Sequence, residues 1–554
     1  MPHTLPLLEL QRFWDLGVVS ILKSLFQDPL WTAARKREVN QMEMDGWRGG
    51  SDAKRMNDVC GGGLFVSNNT PLELGYDQGQ IFSFKTHSSG MVAIRCTRPG
   101  CRKSHRIMIV IEGPEEPSLL EPILRRLLWT LRYYGPDAGG VLGHDLVVDE
   151  VSRAADGSLT HTLLSTRLYL TGFNADSPAS KKASRHAGHG ALLACRDCFL
   201  LGQKDGNVAF AGYNTAIPTG CCSELRTMRP DLFGAVPQAA QCGASAIKLS
   251  REQKAARMQI FHQLFVAATN DAAKKRLVKA FGLHGESPLI VQLGHYIDPT
   301  DVWPIPVCHT ALLGILKLFL ATVMPSKLPP AGQLPRFVMR QDQRNTVMLR
   351  AKELTLTNAF KRPYRDVVAK RGHWVIEDLL HWLEYSVYVM RDEPDGASVW
   401  PCPEVKEAWR HLHLALLFYL HYTEGCFTLP ARRVAADHLY SFAQAWEAIV
   451  GKRGCSYNLH YFICRAFDQE TARGHLALAK ELFVEEDIQK LKSGVKFRTG
   501  GGPEQVAVGD LLDDRVLENM ASEAGITEWE DKHAPWSSID DRFEMGSKKL
   551  FESG

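Results

Sequence analysis

The sequence predicts an α/β fold: a mixed sheet forms the core, and a large all-helical segment is inserted into it. Three observations predict this. Residues 70–176 read strand, strand, strand, helix, strand by their apolar periodicity. Residues 250–450 carry a helical period instead. The 554-residue chain is 45% hydrophobic and 23% charged, proportions that support a packed interior.

The elements follow in order. Leu16, Val19, Leu22, Leu25 and Phe26 recur at helical spacing, so residues 1–50 read as one or two helices. The Gly-rich, polar stretch 46–63 reads as a loop. Short β-type runs lie at 72–76, 81–85, 91–96 and 107–111. Pro114, Glu115, Glu116 and Pro117 then open a helix. Its apolar face is Leu120, Ile123, Leu124, Leu127, Leu128 and Leu131, and Gly135 closes it. Two more strand-like runs follow, 145–151 and 162–173. Farther on, 309–323, 374–389 and 405–422 read as helices, and four prolines in 324–336 mark an extended segment. Residues 474–493 form a last helix candidate. The implied plan is an N-terminal helical segment and linker (1–65), a first part of the core ending in a C-x-x-C loop (66–200), a mainly helical insertion (201–455), a last part of the core (456–499) and an acidic tail (500–554).

A net charge of +3 excludes a uniformly basic surface, so any nucleic-acid contact has to be local. No 18-residue apolar run is present, which predicts no spanning helix and no membrane partner. Met1 to Leu10 contains Pro2, Pro6 and Glu9 and lacks the order of a signal peptide, so a soluble intracellular protein is expected. Thirteen cysteines make an odd set in a long chain. Reduced thiols, some of them metal ligands, fit that count better than a disulfide framework.

Cys195 and Cys198 form a C-x-x-C loop, which puts two thiolates on one side of a turn and suits tetrahedral zinc. Arg185, His186 and His189 precede it, and His189 and His309 are the candidate histidine partners. Cys96, Cys101 and His105 are a looser second candidate. The adjacent Cys221 and Cys222 cannot easily share one ion and read as structural. Three carboxylates form another constellation. Asp77 ends one strand, Asp176 follows another, and Glu485 or Glu486 sits on a late helix. Two strand carboxylates and one helix carboxylate can hold paired magnesium ions at a phosphodiester. A chain with 62 acidic residues offers many such triples, so spacing alone does not single these out.

A family resemblance does single them out. Phe173-Asn-Ala-Asp176-Ser-Pro178-Ala179 followed by Cys195-Arg-Asp-Cys198 resembles the "D-x-P-A … C-x-x-C" segment of CACTA (En/Spm) and Kyakuja–Dileera–Zisupton transposases. Gly113-Pro114-Glu115-Glu116-Pro117 resembles their "G-P-x-x-P" segment. Ser287-Pro288-Leu289 with His309-Thr-Ala-Leu-Leu-Gly314-Ile-Leu-Lys317 is similar to "D-x-M-H-x-x-x-x-G-x-x-K". Pro363 with Gly372-His-Trp374-Val-Ile-Glu377 is similar to "P … G-x-W-x-x-x-E". Asn458-Leu-His460, Gly474, Glu485 and Leu491-Lys492 resemble "N-L-H … G … F-E-x-x-x-G-x-L-K". These motifs span 70–495 in the family's order.

The resemblance implies a ribonuclease-H-like core and a DDE-type DNA transposase in the nucleus. Its catalytic, metal-holding carboxylates would be Asp77, Asp176 and Glu485, its cofactor Mg2+ (or Mn2+). Zn2+ at Cys195, Cys198 and His309 would be structural, and transposon-end DNA and a second copy of the chain would be the partners. The long interval before Glu485 implies the helical insertion. Some positions depart from the pattern. Pro306 stands where relatives carry an acid before Cys308-His309, Val484 replaces a phenylalanine, and Gln489 replaces a glycine. The family's separate DNA-binding region before the core reads as absent or reduced to about 50 residues. These departures keep open a degenerate or domesticated copy that binds DNA or protein without cutting.

Overall fold

A computed structural model describes residues 13–15, 18–36, 44–80, 88–97, 106–111, 120–136, 143–188, 190–205, 207–285, 287–298, 302–330, 332–354, 366–368, 372, 374–392 and 398–479. They divide into two compact units. One holds the described residues of 13–184 and 287–304, the other those of 185–285 and 305–479.

The first unit is a mixed α/β domain. Strands β1 (Phe13–Asp15), β2 (Thr70–Gln80), β3 (Ser88–Cys96), β4 (Arg106–Ile111) and β7 (Leu168–Ala175) form one sheet in the order β1-β4-β3-β2-β7. Neighbours are antiparallel except β7, which lies parallel to β2 with Tyr76 opposite Ala175. The alternation of β2 decides which face is buried against helices. Leu72, Leu74 and Tyr76 join Val92, Ile94, Cys96, Phe173 and Ala175 in one apolar cluster. Leu124, Leu127, Leu128 and Leu131 of α4 (Glu121–Tyr133) belong to that cluster and are fully buried. Each such leucine contributes roughly 1.5–3 kcal/mol. Helices α1 (Val18–Gln27) and α2 (Pro29–Lys36) add Leu22, Leu25, Phe26 and Trp31.

The opposite face is polar. Arg95 donates through Nε and Nη2 to Glu73 Oε2 at 2.9 and 2.7 Å, and Asn174 Nδ2 donates to the same oxygen at 3.2 Å. One buried carboxylate oxygen thus links three adjacent strands. Asp77 follows on this face of β2, and Asp176 comes directly after β7, before helix α5 (Ser177–Ser184).

The run 162–173 is two strands. Its first half belongs to β6 (Leu159–Thr166), which pairs with β5 (Leu146–Arg153) in a separate antiparallel ribbon. β6 is largely exposed whereas β7 is buried throughout. Arg167 breaks the run: its N–H donates to Asn69 Oδ1 and its side chain pairs with Asp145. The supposed loop 46–63 contains helix α3 (Ser51–Val59). Asp52 in its first turn pairs with Arg55, and Ala53 and Met56 are buried. Its glycines end the helix, Gly61 and Gly62 having positive φ. Residues 81–85 and 480–554 lie outside the described residues, and with them Glu485, Glu486 and most of the 474–493 helix candidate.

The second unit begins with short strand pairs, Gln203–Asp205 with Asn207–Ala209 and Ile217–Pro218 with Ala239–Ala240. Helices α6 (Arg251–Ala267) and α7 (Asp271–Phe281) follow around a small core that includes Phe199, Phe233, Phe261 and Phe281. A π-helical segment, Cys308–Leu316, runs into Lys317–Val323. Then come α8 (Gln341–Glu353), α9 (Ile376–Val389), α10 (Pro403–Leu420), α11 (Leu429–Val450) and α12 (Tyr457–Arg473). The described residues of 251–285 and 305–450 are therefore mainly helical, and the stretch before them is mixed.

The units divide the chain differently from the sequence plan. The C-x-x-C loop and 457–479 belong to the helical unit, because Phe199 and Leu249 bond the loop to residues 247–249. The described residues of 287–304 belong to the sheet unit. There Leu170 N–H donates to Tyr296 Oη and Phe173 N–H to the Val302 carbonyl. No helix among the described residues is long and apolar enough to cross a membrane.

Candidate metal centre

Cys195 and Cys198 are fully buried in the second unit. Facing them are His460 and Cys464 of α12, one helical turn apart and so on one face of the helix. Ser456 caps this helix, its Oγ accepting from Leu459 N–H at 3.3 Å, which fixes the turn that carries His460.

The four donor atoms lie within 4.8 Å of one another. Cys195 Sγ is 4.0 Å from Cys464 Sγ, and Cys198 Sγ is 3.4 Å from His460 Nε2. A tetrahedral ion with metal–sulfur bonds of about 2.3 Å and metal–nitrogen bonds of about 2.0–2.1 Å requires separations of about 3.8 and 3.6 Å. The cluster can therefore hold a zinc-like ion with little adjustment.

The surroundings support negative sulfur. Asp197 N–H points at Cys195 Sγ and Leu200 N–H at Cys198 Sγ, both at 3.4 Å. His460 Nδ1 lies 3.0 Å from Cys242 Sγ, which orients the ring so that Nε2 faces the cluster. Phe210 stacks on the imidazole at 5.2 Å. Burial disfavours a charged Cys195, yet hydrogen bonds from Cys198 and Cys464 and the facing His460 hold its thiol well below the usual value. Burial and the neighbouring Cys195 push Cys198 up to about 11. Hydrogen bonds to Cys195 and Cys198, with burial, raise Cys464. Burial opposes a charged His460, but Cys242, Cys198 and Cys195 raise it well above its usual value. Metal ligation needs deprotonated sulfur and a neutral imidazole nitrogen, so a divalent ion bound here would displace protons from the cluster.

Ion pairs anchor the loop. Burial works against the Asp197 carboxylate, but Arg465 at 3.0 Å and Lys254 at 2.6 Å hold it well below the usual carboxylate range. Arg196 donates to Tyr461 Oη. Loop and helix are thus tied on both sides of the cluster.

The sequence expectation identifies the two loop cysteines and misses their partners. His309 lies on the π-helical segment and is not one of the four, and His189 lies outside the described residues. Cys101 and His105 also lie outside them, while Cys96 packs in the sheet core. Cys221 and Cys222 are half-buried thiols outside the cluster. The set is complete without an acid at position 306, so Pro306 costs this centre no ligand. The available signal was the spacing His460-x3-Cys464, which complements C-x2-C when it falls on a helix.

The other proposed carboxylates belong to the sheet unit. The parallel register ends with Tyr76 opposite Ala175, the residues just before Asp77 and Asp176. Asp77 does not end its strand, because β2 runs on to Gln80 in its pairing with β3, whereas Asp176 follows β7 directly. Both are half-buried. Asp176 Oδ1 accepts from Ala179 N–H at 2.8 Å and so caps α5. No protein-family model matches the chain, and no curated protein matches it.

Proposed function

We propose that the chain is a DDE-type transposase protein with a ribonuclease-H-like core, acting on DNA in the nucleus. The observation that carries this reading is the parallel pairing of β2 with β7, in which Tyr76 lies opposite Ala175, the residues that immediately precede Asp77 and Asp176. The strand–strand–strand–helix–strand succession and the ordered motifs support it independently. Asp77 and Asp176 offer hard oxygen donors suited to Mg2+ or Mn2+, and Glu485 is the third member of the proposed set. Metal bound there would stabilise the attacking and leaving oxygens of a phosphodiester. The chain's own part is orientation. The α5 cap fixes the Asp176 carboxylate, and the Glu73–Asn174 bond ties the two strands beneath it. The Cys195/Cys198/His460/Cys464 centre is a structural zinc site in this reading, because its four protein ligands leave no open position.

The test is nicking of supercoiled DNA by purified protein with Mg2+ or Mn2+. Metal-dependent nicking that Asp77→Asn and Asp176→Asn each abolish, with zinc content unchanged, is the expected result. Nicking indifferent to both substitutions, or none with either metal, overturns the catalytic reading. In the second case a non-cutting, domesticated protein remains.

A further inference from the structure

The charge of the second unit is unevenly placed. Between residues 253 and 280 stand Lys254, Arg257, Lys274, Lys275, Arg276 and Lys279 against one acid, Asp271, so 6 − 1 = +5, where the whole chain carries +3. These residues form the hairpin of α6 and α7, joined by residues 268–270. Two of the cations are turned inward. Lys254 pairs with Asp197, and Arg257, almost fully buried, donates to the Phe281 carbonyl. Lys275, Arg276 and Lys279 are exposed and share one arc of α7 about 100° wide. Gln259, His262 and Gln263 are exposed on α6.

Four cations elsewhere in this unit hold carboxylates: Arg229 with Asp231, Arg340 with Asp342, Lys406 with Asp392, Arg410 with Glu407. Among the described residues no carboxylate lies in ion-pair contact with Lys275, Arg276 or Lys279. The hairpin is also stiff. Asn270 caps α7 through Ala273 N–H at 2.9 Å, Gly282 ends it at φ +64, and Arg257 fastens one helix to the end of the other. Its footing is the metal centre, since Asp197 of the C-x-x-C loop holds Lys254 and accepts from Leu249 N–H at 2.9 Å.

We infer that the α6–α7 hairpin, braced by the Cys3His centre, is the docking surface for the phosphate backbone of duplex DNA. The choice of DNA rests on the proposed function; the surface rests on the charge and its unpaired presentation. Unpaired cations on a rigid helix suit a regular array of phosphates. None of the large exposed hydrophobic side chains of 251–281 is aromatic, so the stacking platform that single-stranded nucleic acid requires is not provided.

The test is fluorescence anisotropy with the full-length protein and a labelled mixed-sequence DNA duplex, without added divalent ions, over a salt series. Three lost phosphate contacts should flatten the slope of log K against log[salt] by about 2.7. That flattening is expected for the triple variant Lys275→Gln/Arg276→Gln/Lys279→Gln. It is not expected for Arg340→Gln/Lys406→Gln/Arg410→Gln, which changes net charge equally. Lys275→Arg/Arg276→Lys/Lys279→Arg should restore the slope, and zinc content should be unaltered in all three. Equal slopes in the two glutamine triples, no duplex binding, or tighter binding of single-stranded RNA or an acidic peptide that depends on the same residues overturns the inference. Asp176→Asn separates the two readings. Hairpin-dependent binding without nicking removes only catalysis, and nicking by the hairpin triple at wild-type salt dependence removes only the docking surface.

Discussion

Cys198 and His460 are 262 residues apart in sequence and 3.4 Å apart in space. Every ligand of the centre thus comes from one of two short segments, a loop and one helical turn. Closing so long an interval costs conformational entropy that neither segment repays alone. A bound structural ion supplies about 10–16 kcal/mol in small zinc modules, and an ion held by this cluster would add its binding energy to folding in the same way. Elemental analysis should find one zinc per chain. Cys464→Ser and His460→Ala should each lower zinc content and the thermal midpoint of the helical unit. His309→Ala should leave both unchanged. Full zinc content in Cys464→Ser would rule the centre out.

Cys242 tests the orientation of the histidine rather than its presence. Its sulfur sits 3.0 Å from His460 Nδ1, on the ring edge away from the cluster. Losing such an outer partner typically costs 10–100-fold in metal affinity. Cys242→Ala should therefore keep one zinc per chain but lose it to a competing chelator at 10–100-fold lower concentration. An unchanged competition curve would make Cys242 a packing residue.

The sheet was legible in the sequence because its signal is local. Leu72, Leu74 and Tyr76 alternate with Glu73, Gly75 and Asp77, and alternation of that kind has one burial solution. The α4 leucines recur at helical spacing and pack where the period places them. Arg167 shows the limit. The β-forming residues around it read as one run, and only pairing with Asn69 and Asp145, distant in sequence, divides it. Helix α3 was hidden by its glycines, which lie at its ends. The metal centre was half legible. C-x-x-C carries its geometry in three bonds of spacing, whereas His460 and Cys464 become a pair only once α12 is known to be helical.

Glu73 makes a further prediction about the sheet. Its Oε2 accepts from Arg95 and Asn174, and all three side chains are buried. Removing one partner of a buried ion pair costs roughly 3–5 kcal/mol, because the other charge stays desolvated. Glu73→Gln should lower stability in urea by that order. The double variant Glu73→Leu/Arg95→Leu should be less damaged than Glu73→Gln, since no orphan charge remains. A double variant worse than the single one would show that the pair contributes more than its desolvation costs.

Glu470 on α12 makes a pH prediction whose sign is fixed by its surroundings. The side chain is almost completely buried, and burial pushes its pKa up to about 8 against the moderating pull of Arg432 and the Leu476 N–H. Arg432 Nε lies 3.6 Å from one carboxylate oxygen and His475 Nδ1 3.8 Å from the other, and Tyr419 adjoins them. The folded protein therefore holds Glu470 protonated at pH 7, while the unfolded chain ionises near its ordinary value of 4.5. Unfolding releases a proton between these values, so this stabilisation is complete below about 4.5 and is lost as pH rises through about 8. The displacement of about 3.5 units sets an upper bound of about 5 kcal/mol, at 1.36 kcal/mol per unit. Glu470→Gln keeps the shape without the ionisation. Arg432 keeps the Phe467 carbonyl and Thr471 Oγ1 as acceptors in that variant, so no new orphan cation is created. The stability of the wild-type protein should fall relative to Glu470→Gln between pH 5 and 8.5, with the two converging at the acid end. Parallel stability curves for the two proteins across that range would show that Glu470 is ionised in the fold and that Arg432 outweighs burial.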